Sequence, residues 1–181
     1  IEIDAARSRV RYGHRATYVD LGGIAKGYAV DQAAAILRRA GITQASVAAG
    51  GDSRILGDRR GQPWVVGVRH PRDAEKMAVK LPLSDTAIST SGDYERFFIK
   101  DGQRFHHIIN PSSGASAKKS MSVTILGDSG ILADALSTSV FVLGADRGLA
   151  LVNNTAGVDA IIIDHRGRMS YSDGLLSPGA N

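Results

Sequence analysis

The segment at residues 131–144, ILADALSTSVFVLG, places the strongest constraint on how this chain can fold. Its apolar residues occupy most of the circumference of a helix, so other elements must cover that helix on nearly every side. The segment is too short to cross a bilayer, and no apolar stretch elsewhere approaches the ~18 residues that a span requires. Asp128 or Ser129 is the expected N-cap. We therefore predict a buried core helix here.

Asp134 is the only charged residue in this segment. It lies one helical turn before Thr138 on the same face, with apolar neighbours on the helical wheel. Between Lys119 and Asp146 the only other charged residue is Asp128, so no basic residue is local. A buried carboxylate without a partner is costly. Three solutions stay open: a basic residue from elsewhere, backbone hydrogen bonds, or a hard cation such as Mg²⁺, which carboxylate and hydroxyl oxygens suit.

Short strand patterns separated by turn signals make up most of the remaining chain. Asp101-Gly102 and His165-Arg166-Gly167 mark two hairpins. Residues 1–20 are also expected to form short strands, with a turn near Gly13. The other expected strands are residues 45–49, a strand after the Gly50-Gly51 turn, and residues 64–71, 77–83, 86–91 and 121–127.

Two further helices complete the pattern. One runs from Gly22 to Ala40 and stops at Gly41, and a shorter one covers residues 146–154. The apolar face of the first helix is expected to comprise Ile24, Tyr28, Ala33, Ile36, Leu37 and Ala40. Because strands outnumber helices and several are joined by hairpins, we predict an α+β fold. It consists of a mixed, largely antiparallel sheet with two main helices packed on it, in a single domain over residues 1–181.

The composition narrows the function classes. The absence of cysteine excludes disulfides and thiolate metal sites. A net charge of +4 mildly favours anionic ligands such as phosphates. Arg7, Arg9 and Arg11 alternate along an expected strand and share one face, but no aromatic residues for base stacking are interleaved. A solvated strand face is therefore favoured, and no nucleic-acid partner is predicted.

Two glycine-rich turns are candidate binding elements. Gly22-Gly23 permits a tight turn into a helix whose N-terminus favours anions, and Lys26 follows in the first turn. A lysine there is better explained if it reaches an anion bound at the same end, although a solvated lysine is an equal alternative. Gly50-Gly51-Asp52 ends a small-residue strand, where a flat ligand or merely a hairpin turn could lie.

Two later segments carry hydroxyls and histidines. Ser91-Gly92-Asp93 could bind a ring edge or a phosphate, or it could be a self-capping turn. His106 and His107 face opposite sides of an expected strand, so at most one points into any given pocket. Histidine is the natural general base near neutral pH, but a structural role is the more common one for a single histidine at a strand edge.

Five motifs, taken in order, resemble the FAD:protein FMN transferases, the ApbE family. They are VDLGGIAKGYAVD, AAGGDSRILG, AISTSGDYERF, HHIINPSSG and SVTILGDSGILADALSTSVFVLG, and the match covers roughly residues 15–145. The collinear order makes the resemblance far more specific than any single motif. It implies an ApbE-like fold.

The resemblance also implies a Mg²⁺-dependent reaction with FAD as substrate. FAD is cleaved at its pyrophosphate, FMN is joined through a phosphoester to a threonine or serine of a target flavoprotein, and AMP leaves. The alternatives are a Mg²⁺-dependent FAD pyrophosphatase, which uses water as the nucleophile, and a non-catalytic flavin-binding module.

The family's site residues can be assigned to positions of this chain by their motifs. Asp134 and Thr138 match the metal-binding D-x-x-x-T, and the backbone carbonyl of Ala25 matches the main-chain metal ligand. His107 matches the catalytic histidine, and Lys26 matches a residue that lines the phosphates and assists catalysis. The residues that match the flavin and phosphate pocket are Gly22, Gly23, Lys26, Gly50, Gly51, Asp52, Ser91, Gly92, Asp93 and His107.

Family members usually continue ahead of the point where this sequence starts, in a segment that helps to hold the adenosine end of FAD. We expect that segment to be truncated, naturally absent or supplied by another chain. An N-terminal anchor would lie there, so membrane contact is expected only through such an anchor. A periplasmic location, or the outer face of the bacterial inner membrane, is expected from the family alone.

Overall fold

A six-stranded sheet forms the centre of the computed structural model, which describes residues 1–176. Its strand order is β12-β11-β10-β7-β4-β3, and each neighbouring pair is antiparallel. The strands are β3 (Ala45–Ala49), β4 (Asp52–Leu56), β7 (Ala87–Gly92), β10 (Ser120–Gly127), β11 (Val158–Asp164) and β12 (Met169–Tyr171).

Three two-stranded hairpins lie outside this sheet. They pair β1 (Glu2–Asp4) with β2 (Arg9–Arg11), β5 (Trp64–His70) with β6 (Asp73–Leu83), and β8 (Phe97–Lys100) with β9 (Gln103–His106). The helices are α1 (Ala25–Arg39), α2 (Gly130–Leu143), α3 (Ala145–Asn153) and the short α4 (Asp173–Leu176). The predicted α+β class with a largely antiparallel sheet is confirmed, and all ladders among residues 1–176 are antiparallel.

The main core lies between the sheet and the face covered by α2. This helix packs across β10 and β7, with α1 beside it over β3 and β4 and α3 over β11. Val140 and Phe141 of α2 are completely buried against Val123 and Ile125 of β10. The predicted core helix is thereby confirmed, and Ser129 is its N-cap, accepting a hydrogen bond from the Leu132 amide at 3.4 Å.

The opposite face of the sheet carries a second apolar cluster. Side chains alternate along β10, so Leu126 points away from the face that Ile125 occupies. Leu126 packs with Ile55 and Ile88, and the β5–β6 hairpin covers them with Trp64, Val66, Leu81 and Leu83. Both faces of the central strands are therefore buried, which holds β4 and β7, the strands that carry the candidate site, in place.

The apolar face predicted for α1 was wrong. Tyr28 and Ile36 are 54% and 57% exposed, whereas the buried residues of α1 are Gly27, Val30 and Ala34. A close backbone approach of α1 to α2 explains the difference. A Cβ atom on Gly130 would lie only 2.7 Å from the Gly27 carbonyl oxygen, so this interface selects small residues rather than large apolar ones.

The N-terminal segment contains two turns. The predicted turn near Gly13 is present, as a bend at residues 13–14 and a turn at residues 15–16, where the Thr17 amide donates to the His14 carbonyl oxygen at 3.1 Å. A second turn, at residues 5–8, joins β1 to β2 and was not predicted. Asp4 fixes this second turn, because its carboxylate accepts hydrogen bonds from the Arg7 amide at 3.1 Å and the Arg7 guanidinium at 3.0 Å. Arg7 therefore does not share a strand face with Arg9 and Arg11.

None of the helices described within residues 1–176 is long and apolar enough to cross a membrane. The end of the predicted single domain, at residues 177–181, lies outside the described residues.

Candidate active site

The buried carboxylate of Asp134 is held by α1. Its Oδ1 accepts a hydrogen bond from Lys26 Nζ at 3.1 Å, and its Oδ2 accepts one from the Gly27 amide at 3.0 Å. The partners come from more than a hundred residues earlier in the chain, brought close by the Gly27–Gly130 helix contact. Two of the three solutions left open for Asp134, a distant basic residue and a backbone amide, are therefore both present.

Lys26 bridges two carboxylates. Its Nζ also lies 2.8 Å from Oδ2 of Asp52. Asp52 and Asp134 are 1% and 2% exposed in their side chains, whereas the Lys26 side chain is 41% exposed. Two carboxylates and one ammonium leave one negative charge in excess, so the group can accept a further cation.

The mutual interactions of these groups perturb their ionisation. Burial lowers the pKa of Lys26, but hydrogen bonds and attraction from Asp52 and Asp134 outweigh it and raise that pKa above its usual value. Burial raises the pKa of Asp52, against the opposing effects of Lys26 and Ser89. Clusters of perturbed groups of this kind are typical of functional sites.

A row of hydroxyl groups connects Asp52 to Thr138. Ser89 Oγ donates to Asp52 Oδ1 at 2.6 Å and lies 3.1 Å from Ser137 Oγ. Ser137 Oγ lies 2.8 Å from Ser91 Oγ, which in turn lies 3.1 Å from Thr138 Oγ1. The row crosses from β4 through β7 to α2, so it ties the sheet to the core helix.

Backbone geometry positions this row. Asp52 pairs directly with Ser89 in the β4–β7 ladder, and period-two alternation places Ser89 and Ser91 on the same face of β7. The preceding turn uses Gly50 and Gly51 at φ of 52° and 98°, which glycine adopts without strain. A Cβ on Gly50 would lie 3.3 Å from Lys26 Cδ, so this turn passes closely over the lysine side chain.

The other residues that were predicted in this region lie at the first position of α1 or just before it. Ala25 is its first residue, two positions before the amide that binds Asp134. Gly22 and Gly23 are exposed, and the Gly22 amide donates to Asp20 Oδ1 at 2.7 Å. The structure therefore brings Ala25 beside the cluster, while the two glycines form an exposed turn leading into it.

His107 is exposed, whereas His106 is buried, which confirms that the two face opposite sides. The His106 ring packs edge-on against Phe141 and its Nε2 lies 2.8 Å from the Ala117 carbonyl oxygen. His107 Nδ1 lies 3.3 Å from the Arg96 carbonyl oxygen. A carbonyl only accepts, so we assign a proton to Nδ1, and in the neutral imidazole the acceptor nitrogen is then Nε2.

The residues of the segment Ser91-Gly92-Asp93 have different partners. Ser91 belongs to the hydroxyl row, but the Asp93 carboxylate accepts two hydrogen bonds from the Arg72 guanidinium, both at 2.6 Å. The hydrogen bonds to Asp93 raise the pKa of Arg72 further. Asp93 is thus occupied by an ion pair of its own, and its predicted role in the flavin pocket stays a prediction.

Several residues of this region were not identified from the sequence. The Asp31 carboxylate accepts from the amides of Gly130 and Ile131 at 2.9 and 3.1 Å and so caps α2 from α1. No local pattern shows such a cap, because its two parts are distant in sequence. Ser89 and Ser137 complete the hydroxyl row. Ser89 could have been identified from the sequence, because it lies two residues before Ser91 in AISTSG and so shares a strand face with it.

Within residues 1–176 there is no group of three or more histidine, cysteine, aspartate or glutamate side chains placed to hold a metal. The predicted metal ligands, a carboxylate, a hydroxyl and a carbonyl oxygen, are of a different kind. Asp134 and Thr138 do lie on one face of α2, and Ala25 starts the helix that contacts Asp134. These donors, with one excess negative charge, suit a hard cation.

The family model for the ApbE family matches residues 1–162. A Treponema pallidum protein named FAD:protein FMN transferase is 38% identical over 169 residues, which are 87% of this chain and 47% of that protein. A Vibrio cholerae protein of the same name is 38% identical over 165 residues, 89% of this chain and 49% of that one. The chain thus spans about half the length of these curated relatives.

Solved structures give the same result. The ApbE protein from Thermotoga maritima is 40% identical with a TM-score of 0.86, over 97% of this chain and 57% of that one. The flavin transferase ApbE from Vibrio cholerae is 36% identical with a TM-score of 0.73, over 86% of this chain and 51% of that one. On the family match and these relatives together, the chain belongs to the ApbE family.

Proposed function

We propose that this chain carries the catalytic part of a Mg²⁺-dependent FAD:protein FMN transferase. FAD is cleaved at its pyrophosphate, FMN is attached by a phosphoester to a threonine or serine of a target flavoprotein, and AMP is released. The observation that supports this most is the Lys26–Asp52–Asp134 cluster beside Thr138, which combines excess negative charge with oxygen donors in a family whose named members are flavin transferases.

Asp134, Thr138 and the carbonyl of Ala25 would hold the Mg²⁺. When bound, Mg²⁺ would neutralise and orient the FAD pyrophosphate. Both Asp134 oxygens accept hydrogen bonds in this structure, so the carboxylate is already fixed in position. Lys26 is the more exposed partner, and its ammonium can turn towards a phosphate and offset the charge that develops there.

His107 acts as the general base. Its unprotonated Nε2 accepts the proton of the acceptor hydroxyl as the hydroxyl oxygen attacks the phosphorus of the FMN half. The new phosphorus–oxygen bond forms, the bond to the bridging pyrophosphate oxygen breaks, and that oxygen leaves with AMP. The exposure of His107 favours this role, because an acceptor protein must reach it from outside.

The FAD pocket is proposed to include the two glycine turns at 22–23 and 50–51, with Asp52, Ser91, Gly92 and Asp93. The acceptor is a flavoprotein that carries the modified threonine or serine. We further propose a periplasmic location, or the outer face of the bacterial inner membrane, with membrane contact only through an N-terminal anchor.

The test is to incubate the protein with FAD, Mg²⁺ and an acceptor flavoprotein domain. We expect a fluorescent protein band and a mass gain equal to FMN, both lost with EDTA and in His107→Ala. Release of FMN and AMP with an unmodified acceptor would instead establish a pyrophosphatase. Flavin binding with neither product would identify a binding module.

A further inference from the structure

One arrangement of protons along the hydroxyl row from Asp52 to Thr138 leaves the fewest contacts without a hydrogen bond. Lys26 Nζ donates to Asp52 Oδ2 at 2.8 Å and Ser89 Oγ donates to Asp52 Oδ1 at 2.6 Å, so both carboxylate oxygens accept and the single proton of Ser89 is used. The Ser89 oxygen is then left with lone pairs alone. The contact of 3.1 Å between Ser89 and Ser137 is a hydrogen bond only if Ser137 donates.

Ser137 has two competing acceptors, and neither is Ser91. Its hydroxyl also lies 3.0 Å from the backbone carbonyl oxygen of Asp134, which only accepts. Whether Ser137 donates to Ser89 or to that carbonyl, it has no proton left for Ser91. The contact of 2.8 Å between Ser137 and Ser91 therefore requires Ser91 to donate.

The same assignment of donors and acceptors extends to Thr138. Since Ser91 gives its proton to Ser137, its contact of 3.1 Å with Thr138 Oγ1 requires Thr138 to donate. The reverse order would leave Ser137 without a proton for either Ser89 or the Asp134 carbonyl, so two close oxygen pairs would lack hydrogen bonds. The proton of Thr138 thus points towards Ser91, and its oxygen lone pairs are directed elsewhere.

We propose that Ser91, Ser137 and Ser89, anchored by Asp52, are positioning residues that hold Thr138 Oγ1 as a pure acceptor for a hard divalent cation. The inference rests on the proposed function, because it takes Thr138 as a cation ligand. A hydroxyl whose proton is free to rotate presents a lone pair to a cation only part of the time. A hydroxyl whose proton is already donated needs no reorientation when the cation arrives.

The test measures the affinity of the folded protein for Mn²⁺, an oxygen-preferring stand-in for Mg²⁺, from the electron paramagnetic resonance signal of the free ion. Loss of one hydrogen bond corresponds to roughly a 3- to 10-fold change in affinity. We expect Ser91→Ala to weaken Mn²⁺ binding by about that factor, and Ser137→Ala to do the same. Thr90→Ala is the matched control. Thr90 lies beside Ser91 in β7 but outside the hydroxyl row, and its hydroxyl bonds to Thr124 of β10 at 2.9 Å.

Thr138→Val separates this proposal from the function on which it rests. If Thr138→Val leaves Mn²⁺ affinity unchanged, Thr138 is not a ligand and the proposed metal site is wrong. If Thr138→Val weakens binding, Ser91→Ala should have no further effect in the Thr138→Val background. An equal Ser91→Ala effect in both backgrounds, or a Thr90→Ala effect as large, would overturn the positioning role while leaving the metal site intact.

Discussion

Two buried aspartates of this protein are neutralised in opposite ways. Asp93 has a guanidinium to itself, bound through both carboxylate oxygens. Asp134 shares one lysine with Asp52, and that lysine is two-fifths exposed. A carboxylate with its own bidentate partner has its charge balanced, whereas two carboxylates that share one ammonium keep one negative charge in excess. The difference teaches that burial of a carboxylate does not by itself identify a cation site, whereas a buried carboxylate whose charge is only partly balanced does.

The strongest test of this contrast is Asp134→Ala. Because Asp134 is a proposed cation ligand, we expect Mg²⁺-dependent flavin transfer to fall by at least about a hundredfold, the scale of losses when a group that stabilises transition-state charge is removed. The metal-free protein should stay folded, because Lys26 then forms a simple pair with Asp52. Transfer is measured by in-gel flavin fluorescence and folding by circular dichroism. Retained transfer would show that Asp134 is merely structural.

Asp93→Ala should show the opposite profile. It removes two short charge-assisted hydrogen bonds, and we expect the free energy of unfolding to fall by about 2 kcal/mol. This figure is below that for a fully buried pair, because the Arg72 side chain is 37% exposed and can turn to water. Denaturant unfolding measures the loss. Mn²⁺ affinity should be unchanged, and a large decrease would connect Asp93 to the cation site.

Lys26→Met tests whether the ammonium acts as a resident counter-ion. The change leaves two carboxylates without their shared cation, so we expect roughly tenfold tighter Mn²⁺ binding and a less stable metal-free protein. Flavin transfer should nevertheless fall, since the proposed phosphate contact is lost. Mn²⁺ titration and thermal unfolding with and without the ion measure these effects. Weaker Mn²⁺ binding would mean that Lys26 helps to form the cation site rather than competing for it.

Lys26 should also make the folding stability depend on pH in a definite direction. Its pKa is raised on folding, so its contribution to stability is full below its unfolded value, about 10.4, and is lost as pH rises through the higher folded value. The wild type should therefore lose stability at alkaline pH more steeply than Lys26→Met. Unfolding midpoints at pH 9 and pH 11 provide the comparison, and parallel losses would contradict it.

Substitution of Asp164, the last residue of β11, is expected to give the smallest effect. Burial raises its pKa, but the amides of Arg168 and Arg166 and the Arg168 guanidinium outweigh this and bring the pKa to about 2. The stability it contributes is present above its unfolded pKa of about 3.9 and is lost as pH falls towards 2. We expect Asp164→Asn to reduce the loss of thermal stability between pH 5 and pH 2. An unchanged acid profile would contradict this.

Local patterns predicted the fold better than the site. The core helix and the Asp101-Gly102 hairpin follow from residues close in sequence and are found as predicted, and the N-cap, expected at Asp128 or Ser129, is Ser129. The apolar face of α1 was wrong because a contact between Gly27 and Gly130, two residues from separate helices, decides which side is buried. The partners of Asp134 could be stated only as a class, since Lys26 becomes its neighbour only when α1 and α2 pack together.

The contact between Gly27 and Gly130 has a consequence for anyone who wishes to re-engineer this protein. Because backbone contacts backbone there, the distance between the ammonium on one helix and the carboxylate on the other is fixed. Alanine at either position would push the helices apart and increase that distance for every ligand bound between them. Libraries aimed at changing ion preference should therefore vary position 138 and keep positions 27 and 130 as glycine.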